Sequence, residues 1–472
     1  MNIRNSVYIN GKWIVPSGKG KIEVINPTNE KVISTVPECN ASDVIEAINA
    51  ARNAFPMWSN SSISERIEFL KLISEALKNK ENELAEIITS EVGTPISYSR
   101  MAMVGTPRVV AKSYAKILES FDWEEKIRNS VILKEPIGVV AMITPWNFPL
   151  HQIIGKVAPA IAAGCTMIVK PSKEAPLNAF ILADILEEIG LPPGVFNLIS
   201  GHGSVLGETL TTHHDVDMIS FTGSTTAGIN VSKAAASGVK RVTLELGGKS
   251  ANIILDDANI TKAAKRAVYS CFNNSGQECS SLSRLLIPAS FRDEIIDTII
   301  STTEKYTVGN PMDEKIQCGP MISAKQQASV NEYITSGIAE GATLICGGTG
   351  MPNGLSNGFF VKPTVFADVT PNMKIFKEEI FGPVLTITTY DTEEEAVSLA
   401  NDSEYGLSGG VWSEDIERAM RVSRAIRTGQ VSINGGPFNI NAPFGGYKLS
   451  GNGRELGIYG LNEFLEIKSI QL

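Results

Sequence analysis

Apolar residues recur at helical spacing in the first quarter of the chain. Ser62 and Glu65 stand three positions apart just before one such stretch, in the pattern of an N-terminal capping box. The apolar side chains that then fall on one helical face are Ile67, Leu70, Ile73 and Leu77. We interpret this stretch as an amphipathic scaffold helix. Apart from a short strand and turn at 8–13, the first 120 residues are predicted to be largely helical.

From residue 137 the pattern changes to short β-rich runs separated by helical segments. The candidate strands are 138–143, 166–169, 195–199 and 218–221. A second alternation follows residue 279, with candidate strands at 285–287, 384–389, 410–412 and 430–433. Alternation of this kind predicts parallel strands joined by crossover helices, as in a doubly wound sheet. The predicted fold class is therefore α/β, with two α/β halves on either side of residue 279.

Length and composition are those of a globular protein with two or three domains. The chain has 472 residues, of which 43% are hydrophobic and 20% are charged. Its net charge of −9, without a basic patch, argues against a nucleic acid or an anionic membrane as partner. The longest mostly apolar stretch, 157–169, contains Pro159 and Gly164 and is shorter than the ~20 residues of a membrane span. We expect no membrane association.

The cysteines predict a reducing environment and no metal site. Six of them are scattered singly, without a CxxC pair and without a Cys/His cluster at zinc spacing. The first residues carry no apolar signal region before Tyr8. We therefore expect reduced thiols in a cytoplasmic protein.

One cysteine, Cys279, lies in a polar, glycine-containing segment, NNSGQECSS at 273–281, that offers it as a nucleophile. All four histidines of the chain precede it, so a Cys/His pair would need one of them to fold onto it from a distance. Glu245 also precedes it, inside LELGGKS at 244–250. A thiolate with a separate carboxylate and no imidazole indicates that different groups carry out nucleophilic attack and activation of water.

Two glycine-containing segments follow candidate strands and precede candidate helices. GHGSVLG at 201–207 has the spacing GxGxxxG and lacks an acidic residue ~20 positions further on, so by itself it also fits an ordinary strand-to-helix turn. FTGSTTAG at 221–228 repeats the arrangement one strand later. Its small residues allow backbone N–H groups at a helix N-terminus to approach a pyrophosphate.

Seven ordered motifs together resemble the aldehyde dehydrogenase superfamily over almost the whole chain. They are TPWNFP (144–149), KPS (170–172), FTGS (221–224), LELGGK (244–249), GQEC (276–279), EIFGPV (379–384) and PFGGYKLSG (443–451). The resemblance implies a Rossmann-like nucleotide-binding domain (1–113 and 137–247) and a second α/β catalytic domain (248–447). It also implies a small β element, 118–136 and 463–472, that pairs subunits into a homodimer or homotetramer.

The resemblance also assigns the catalytic roles. Cys279 matches the nucleophile that attacks the aldehyde carbonyl and forms a thiohemiacetal. Asn147 matches the side-chain amide that stabilises the oxyanion together with the backbone N–H of the cysteine. After hydride transfer, Glu245 matches the base that activates water to hydrolyse the thioester. Without the resemblance, Asn147 would be interpreted as a turn residue and Glu245 as a salt-bridged carboxylate.

The cofactor implied by the resemblance is NAD or NADP. The residues at its positions are Trp146, Lys170, Ser172, Lys173, Gly203, Gly223, Ser224, Glu379 and Phe381. One of them departs from the family pattern, because NAD-preferring members usually carry glutamate three residues after Lys170, where this chain has Lys173. An ammonium attracts a 2′-phosphate, so we hypothesise that NADP is accepted or even preferred over NAD. If Lys173 points into solvent, NAD use is unaffected.

The substrate is expected to be an aldehyde with an apolar or aromatic group. Aromatic residues stand where relatives line the aldehyde tunnel, and His151 adds a polar group; the predicted lining is Phe148, His151, Phe438 and Phe444. Gly155 replaces a bulky residue of several relatives and should widen the tunnel. The charge of Glu278 disfavours anionic aldehydes.

Two alternative functions remain open from the sequence. The chain could be a catalytically silent nucleotide-binding or structural member of the fold, or it could transfer the acyl group to coenzyme A. The joint presence of Asn147, Glu245 and Cys279 disfavours a silent protein. Glu245 also favours hydrolysis, because acyl-transferring relatives generally lack that base.

Overall fold

The computed structural model describes residues 4–472, so the start of the predicted domain at residue 1 lies outside the described residues. The strands are β1 (Val7–Ile9), β2 (Lys12–Ile14), β3 (Gly20–Asn26), β4 (Lys31–Glu38), β5 (Glu124–Ile127), β6 (Ser130–Pro136), β7 (Val139–Ile143), β8 (Thr166–Lys170), β9 (Phe196–Leu198), β10 (Met218–Thr222), β11 (Arg241–Glu245), β12 (Ala251–Ile254), β13 (Arg284–Pro288), β14 (Thr343–Cys346), β15 (Thr364–Ala367), β16 (Val384–Tyr390), β17 (Tyr405–Gly406), β18 (Gly409–Trp412), β19 (Ser432–Ile433), β20 (Tyr447–Lys448), β21 (Gly451–Asn452) and β22 (Leu465–Gln471).

The α-helices are α1 (Ala41–Ser59), α2 (Ile63–Asn79), α3 (Glu81–Val92), α4 (Ile96–Tyr98), α5 (Thr106–Leu118), α6 (Pro149–Ala163), α7 (Leu177–Glu188), α8 (Gly203–Thr212), α9 (Thr225–Ala236), α10 (Ile260–Phe272), α11 (Arg292–Thr303), α12 (Ala324–Ala339), α13 (Lys374–Lys377), α14 (Glu393–Asn401), α15 (Ile416–Ala425) and α16 (Gly457–Glu463). A π-helical segment, Ser99–Gly105, joins α4 to α5, and 3₁₀ turns form at Asn273–Gly276 and Ala289–Phe291.

The amphipathic helix predicted near residue 67 is α2. The side chain of Ser62 accepts a hydrogen bond from the backbone N–H of Glu65, and Leu70, Ile73 and Leu77 are buried. The prediction that the first 120 residues are largely helical is wrong before residue 41. There β3 and β4 form an antiparallel hairpin, because alternating burial along Gly20–Asn26 follows the period of a strand.

The first large sheet contains the predicted strands of the 137–247 region. Its order is β2-β1-β9-β8-β7-β10-β11-β21, and the strands from β9 to β11 run parallel. β1 and β2 add an antiparallel edge, and the two-residue strand β21 pairs with the end of β11 from much later in the chain. Apolar clusters cover both faces of this sheet, which explains why its strands are continuously hydrophobic.

The second large sheet has the order β14-β15-β16-β13-β12-β18-β19. All its strands except β14 run parallel to their neighbours, as the second alternation predicts. The candidate strand 430–433 shrinks to Ser432–Ile433. A separate three-stranded antiparallel sheet, β22-β6-β5, contains the segments predicted to pair subunits.

The chain passes from one large sheet to the other in the short segment 246–250, between the end of β11 and the start of β12. The carboxyl edge of the first sheet is therefore next to the amino edge of the second. Loops and side chains that leave these two edges meet in one place, which is where a doubly wound sheet binds its ligands. Across residues 4–472, none of the helices has the length and apolar character needed to cross a bilayer.

Candidate active site

The predicted catalytic residues come from both edges. From the first sheet, Glu245 is the last residue of β11 and Asn147 follows the end of β7. From the second sheet, Cys279 precedes β13 and Glu379 precedes β16. The fold thus brings together distant parts of the chain; Asn147 and its partner Gln277 in the Cys279 loop are 130 positions apart.

Asn147 is buried and is bonded to the loop that carries Cys279. Its side-chain Nδ2 donates to the carbonyl of Gln277 at 3.0 Å, and Nδ2 of Asn274 donates to the carbonyl of Asn147 at 2.9 Å. Both bonds lie in the interior, where a hydrogen bond without competing water strongly restricts geometry. The amide predicted for the oxyanion is therefore fixed relative to the nucleophile loop.

The loop before Cys279 has an unusual backbone. Asn274 and Ser275 have φ angles of 47° and 57°, in the left-handed region that residues other than glycine seldom occupy. Gly276 also has positive φ, and a Cβ there would lie 2.1 Å from the carbonyl oxygen of Gly382, so no side chain fits. Gln277 is buried, and its Oε1 accepts from the backbone N–H of Ile322 at 2.9 Å. The surrounding contacts hold a strained loop in one conformation.

Cys279 is a partly exposed thiol among carboxyl groups. Burial raises its pKa well above the ordinary thiol value, and Glu278, Glu379 and Glu245 raise the pKa further. The resting thiol is therefore protonated at neutral pH. Among the other cysteines, Cys39, Cys165, Cys271 and Cys318 are buried, as expected for small apolar side chains. Cys346 departs from that expectation, because it is partly exposed on the edge strand β14.

Glu245 is a buried carboxyl group whose Oε2 has no hydrogen-bond partner within residues 4–472. Burial raises the pKa of Glu245 well above its ordinary value; the charge of Glu455 acts in the same direction and that of Lys156 opposes it. Lys156 forms a close ion pair with Glu455. A Cβ at Gly445 would lie 2.7 Å from Oε1 of Glu245, which explains why the PFGG motif needs glycine there.

Lys170 presents a buried ammonium to the carboxyl edge of β8. Its Nζ donates to the carbonyl of Pro171 at 2.9 Å, and burial lowers the pKa of Lys170 to about 8. The neighbouring Ser172 hydroxyl accepts from the backbone N–H of Glu174 at 3.3 Å. Lys173, the departure from the family pattern, forms an ion pair of 2.6 Å with Glu174. Its charge is therefore partly balanced.

The two glycine turns differ in what they require. At the second turn, a Cβ on Gly223 would lie 2.6 Å from the Phe221 ring, and the side chain of Ser224 caps α9 by accepting from the backbone N–H of Ala227. The other backbone N–H groups at the start of α9 form a cradle for an anion. In the earlier segment GHGSVLG, a Cβ on Gly203 would meet no atom within 4 Å, so glycine is not sterically required there.

On the opposite edge, Glu379 contacts the LELGGK segment and Phe381 contacts the TPWNFP segment. Oε1 of Glu379 accepts from the backbone N–H of Gly248 at 2.9 Å, and burial raises the pKa of Glu379 to about 7. The rings of Trp146 and Phe381 lie 5.4 Å apart and nearly perpendicular. Phe381 has a φ of 54°, so its position is also strained.

Aromatic side chains cluster beside Asn147. Phe148 contacts the rings of Tyr98, at 6.3 Å, and His151, at 6.5 Å. Burial lowers the pKa of His151, so its imidazole is neutral at neutral pH. Phe438 and Phe444 form a second pair at 6.0 Å, in which Phe438 is 51% exposed. The predicted lining residues therefore fall into an inner pair and an outer pair.

Two residues of the site received no role from the sequence, and a third, Glu278, was considered only for its charge. Tyr98 joins the aromatic cluster from α4, and Glu278 is half-buried, with its pKa raised by burial. Lys249 lies inside the LELGGK motif but received no role. Its buried Nζ has no hydrogen-bond partner among the described residues, and burial lowers the pKa of Lys249 to about 7. The position of Lys249 inside the LELGGK motif was the one sequence signal that could have pointed to a role for it.

Potential metal ligands lie elsewhere. Within the described part of the chain, one group of three candidate donors has its ligand atoms within 4.8 Å of one another: His213, His214 and Asp215. These residues precede β10, at the amino edge of the first sheet. Lys170 and Glu245 occupy the opposite edge, so the group is not part of the candidate active site.

Comparisons with known proteins agree with this geometry. A model of the aldehyde dehydrogenase family matches residues 13–470. A 3-succinoylsemialdehyde-pyridine dehydrogenase of a Pseudomonas species is 48% identical over 98% of this chain and 97% of its own length. A putative aldehyde dehydrogenase of Staphylococcus haemolyticus is 44% identical, with 98% of each chain covered.

Solved structures are similar over the same length. A mutant of aldehyde dehydrogenase C from Pseudomonas syringae, crystallised with NAD⁺ and octanal, matches with a TM-score of 0.98 and 44% identity over 99% of this chain and 96% of that one. A betaine aldehyde dehydrogenase from Staphylococcus aureus in complex with NAD⁺ matches with a TM-score of 0.95 and 40% identity, over 99% of this chain and 94% of that one.

Proposed function

The chain belongs to the aldehyde dehydrogenase family and is an NAD(P)-dependent aldehyde dehydrogenase, and we propose that it oxidises an apolar or aromatic aldehyde to the carboxylic acid through Cys279, Asn147 and Glu245. The observation that carries the proposal is the buried connection between Asn147 and the loop of Cys279, with Glu245 at the end of β11 on the same sheet edge as Asn147. The proposed nucleophile, oxyanion donor and base thus lie where the edges of the two sheets meet.

The first step is attack by Cys279 on the aldehyde carbon. The partly exposed thiol gives its proton to solvent water, a C–S bond forms, and the carbonyl π electrons move onto oxygen to give a thiohemiacetal anion. Nδ2 of Asn147 has two N–H groups, of which Gln277 takes one. The second donates to the oxyanion, an interaction worth ~10²–10³ in rate.

The residues present fit a dinucleotide. The Gly223 turn forms an anion cradle at the start of α9, Lys170 offers a buried ammonium, and Glu379 offers a buried carboxylate. Lys170 would hold the adenosine ribose, Ser224 the pyrophosphate, and Glu379 with Phe381 the nicotinamide ribose and ring. When bound, the dinucleotide supplies the acceptor for the hydride that leaves the substrate carbon. Ser172 and Gly203 lie along the same edge.

Glu245 completes the reaction by hydrolysis. Burial raises its pKa above that of an exposed carboxylate, so its ionised form is a stronger base than an exposed carboxylate. In its ionised form it takes a proton from water, whose oxygen attacks the thioester carbon on Cys279. The C–S bond breaks, the thiolate is regenerated and the carboxylic acid leaves. This base favours hydrolysis over transfer to coenzyme A.

We propose NAD as the preferred cofactor, with NADP accepted at lower efficiency. The relatives crystallised with NAD⁺ support NAD. The ion pair between Lys173 and Glu174 leaves no unpaired ammonium for a 2′-phosphate and no unpaired carboxylate to repel it. We therefore expect NADP to be accepted but not preferred, which is less than the hypothesis drawn from the sequence allowed.

The aromatic cluster supports a substrate with a sizeable apolar part. Tyr98 and Phe148 form the inner lining, with the neutral His151 as the polar group. Two relatives act on or bind compounds of this kind, a pyridine semialdehyde and octanal. Glu278 beside Cys279 disfavours anionic aldehydes.

We also propose a cytoplasmic homo-oligomer. The six cysteines are free thiols, as a reducing compartment favours. The sheet β22-β6-β5 has exposed apolar residues, including Ile127, Ile467 and Ile470, along its outer strands. Light scattering at micromolar concentration should therefore give a dimer or tetramer mass. A monomer would contradict this assembly.

The activity test measures NADH or NADPH formation with matched aldehydes. We expect octanal and aromatic aldehydes to give higher kcat/KM than carboxylated aldehydes or the cationic betaine aldehyde, with at least ~10-fold discrimination because the pocket is apolar. Preference for a charged aldehyde would refute the substrate class. Nucleotide binding without oxidation of any aldehyde would favour the silent binding protein, and product formation only with coenzyme A would favour the acylating enzyme.

A further inference from the structure

A buried hydrogen-bonded chain leads from Thr94 to the oxyanion donor. Oγ1 of Thr94 donates to Oδ1 of Asn274 at 2.7 Å. Nδ2 of Asn274 donates to the carbonyls of Asn147, at 2.9 Å, and Gln277, at 3.3 Å. The Gln277 carbonyl is also the acceptor for Nδ2 of Asn147. One asparagine side chain thus joins the backbone of Asn147 to the backbone of the nucleophile loop.

The direction of each bond follows from chemistry. The carbonyls of Asn147 and Gln277 can only accept, so the NH₂ end of the Asn274 amide must face them. Oδ1 then faces Thr94, whose hydroxyl must donate. Without this donor, the amide could rotate and bring two oxygens together at Asn147. The Thr94 hydroxyl therefore selects the one orientation in which Asn274 supports Asn147.

Thr94 can act as an anchor because its own backbone is fixed. Gly93 has a φ of 86°, and a Cβ there would lie 2.6 Å from the Pro320 ring. The backbone N–H of Ile96 donates to the carbonyl of Pro311 at 2.8 Å. Contacts on both sides thus hold the hydroxyl against segments from the second half of the chain.

We propose that Asn274 and Thr94 are positioning residues for the oxyanion site, holding Asn147 at a fixed distance from the Cys279 loop. The inference rests on the proposed function, in which Asn147 stabilises the thiohemiacetal anion. Asn274 also suits the left-handed backbone of this loop, since asparagine tolerates that region better than most residues. Its side chain and its backbone preference thus serve the same geometry.

The first test replaces the anchor. We expect Thr94→Val to lower kcat/KM for the aldehyde by ~3–10-fold, the loss of one buried hydrogen bond, and Thr94→Ser to restore most of it. The matched control is Thr89→Val. Thr89 is an equally buried threonine whose hydroxyl pairs with Ser99 at 2.8 Å; Ser99 contacts the backbone carbonyl of Thr94, at 3.4 Å, so this variant tests the same neighbourhood without removing the Thr94 hydroxyl. We expect similar thermal stability for the two valine variants and a rate loss only for Thr94→Val.

The second test is a double-mutant cycle. Asn274→Gly removes the amide but allows the left-handed backbone, and it should lower kcat/KM by ~10–100-fold, less than the ~10²–10³ of Asn147→Ala. If Asn274 acts through Asn147, the double variant should lie within about threefold of Asn147→Ala. NADH binding, measured by fluorescence titration, should be unchanged in each.

The outcomes separate the two levels of inference. An unchanged rate in Asn147→Ala would overturn the proposed role of Asn147. If Asn147→Ala is slow but the effects of Asn274→Gly multiply with it, the positioning role is overturned while the proposed function stands. Equal rates for Thr94→Val and the Thr89→Val control would likewise overturn the role of Thr94.

Discussion

The two large sheets contribute to the site in different ways. The first supplies residues at or just beyond the carboxyl ends of its strands, such as Lys170 on β8 and Glu245 on β11. The second supplies residues from loops that enter its strands, such as Cys279 before β13 and Glu379 before β16. The side chains of the first edge are therefore positioned by strand register, whereas those of the second edge are positioned by loop conformation.

The difference appears in the backbone. Asn274, Ser275 and Phe381 on the second edge have positive φ, whereas Lys170 and Glu245 on the first have ordinary strand geometry. The nucleophile side thus depends on loops that the surrounding contacts hold under strain, and the base side depends on the sheet itself. Substitutions on the two edges should consequently affect different steps of the reaction.

The largest expected effect comes from the second edge. Cys279→Ser should lower aldehyde oxidation by at least about 10³-fold, because a serine hydroxyl without a neighbouring base is a poor nucleophile. NADH should still bind with unchanged affinity in a fluorescence titration. Cys271→Ser, which alters a buried thiol outside the proposed chemistry, is the control and should retain most of the activity. Comparable losses in both variants would argue against a special role for Cys279.

On the first edge, Glu245→Gln should separate the two half-reactions. We expect the steady-state rate to fall by ~10²–10⁴-fold, since water activation is lost, while a rapid first turnover of NADH remains. Stopped-flow absorbance measures both phases. Loss of the first turnover together with the steady state would mean that Glu245 acts before the thioester forms.

The pH dependence should also differ between the edges. Glu245 must lose its proton to act as a base and Cys279 must lose its proton to attack, and burial raises both pKa values. Rates should therefore increase with pH, by up to about tenfold per unit below the controlling pKa. Where hydrolysis limits turnover, the profile of kcat follows Glu245, whereas kcat/KM follows the free enzyme and includes Cys279. A flat profile of both parameters from acidic to alkaline pH would contradict these raised values.

The smallest expected effect concerns the cofactor at the first edge. Glu174→Gln removes the carboxylate paired with Lys173 and frees the ammonium. The ratio of kcat/KM for NADP to that for NAD should increase by ~3–10-fold, the scale of one partly exposed charge. Lys173→Gln should change the ratio in the opposite direction. An unchanged ratio in both variants would mean that this pair does not contact the adenosine ribose.

Much of the fold was predictable because buried strands and helices leave recognisable patterns of apolar residues in the sequence. The runs at 138–143, 166–169 and 218–221 are mostly apolar, and they form central strands covered on both faces. The hairpin β3–β4 was missed, because its alternation of apolar and charged residues is short. The length of β19 was overestimated, because only Ser432 and Ile433 of the predicted strand 430–433 form it.

For the site, motifs located individual residues but not their connections. Cys279 and Glu245 stand in recognisable segments; Asn274 shares the segment of Cys279 but received no role there, and Thr94 lies in none of the motifs. The hydrogen bond between Thr94 and Asn274 spans 180 positions, and the ion pair of Lys156 with Glu455 spans 299. Such pairs cannot be predicted from a local pattern, because the spacing of residues within one segment does not reveal a partner in a distant segment.

The sequence alone determined the α/β class, the family and the chemical groups available, because hydrophobic period and motif order are local properties of the chain. The tertiary structure decided how those groups act. It placed the carboxyl edge of one sheet against the amino edge of the other, buried the carboxyl of Glu245 and fixed Asn147 through Asn274. Burial and long-range hydrogen bonds set pKa and orientation, and both exist only once distant segments have packed together.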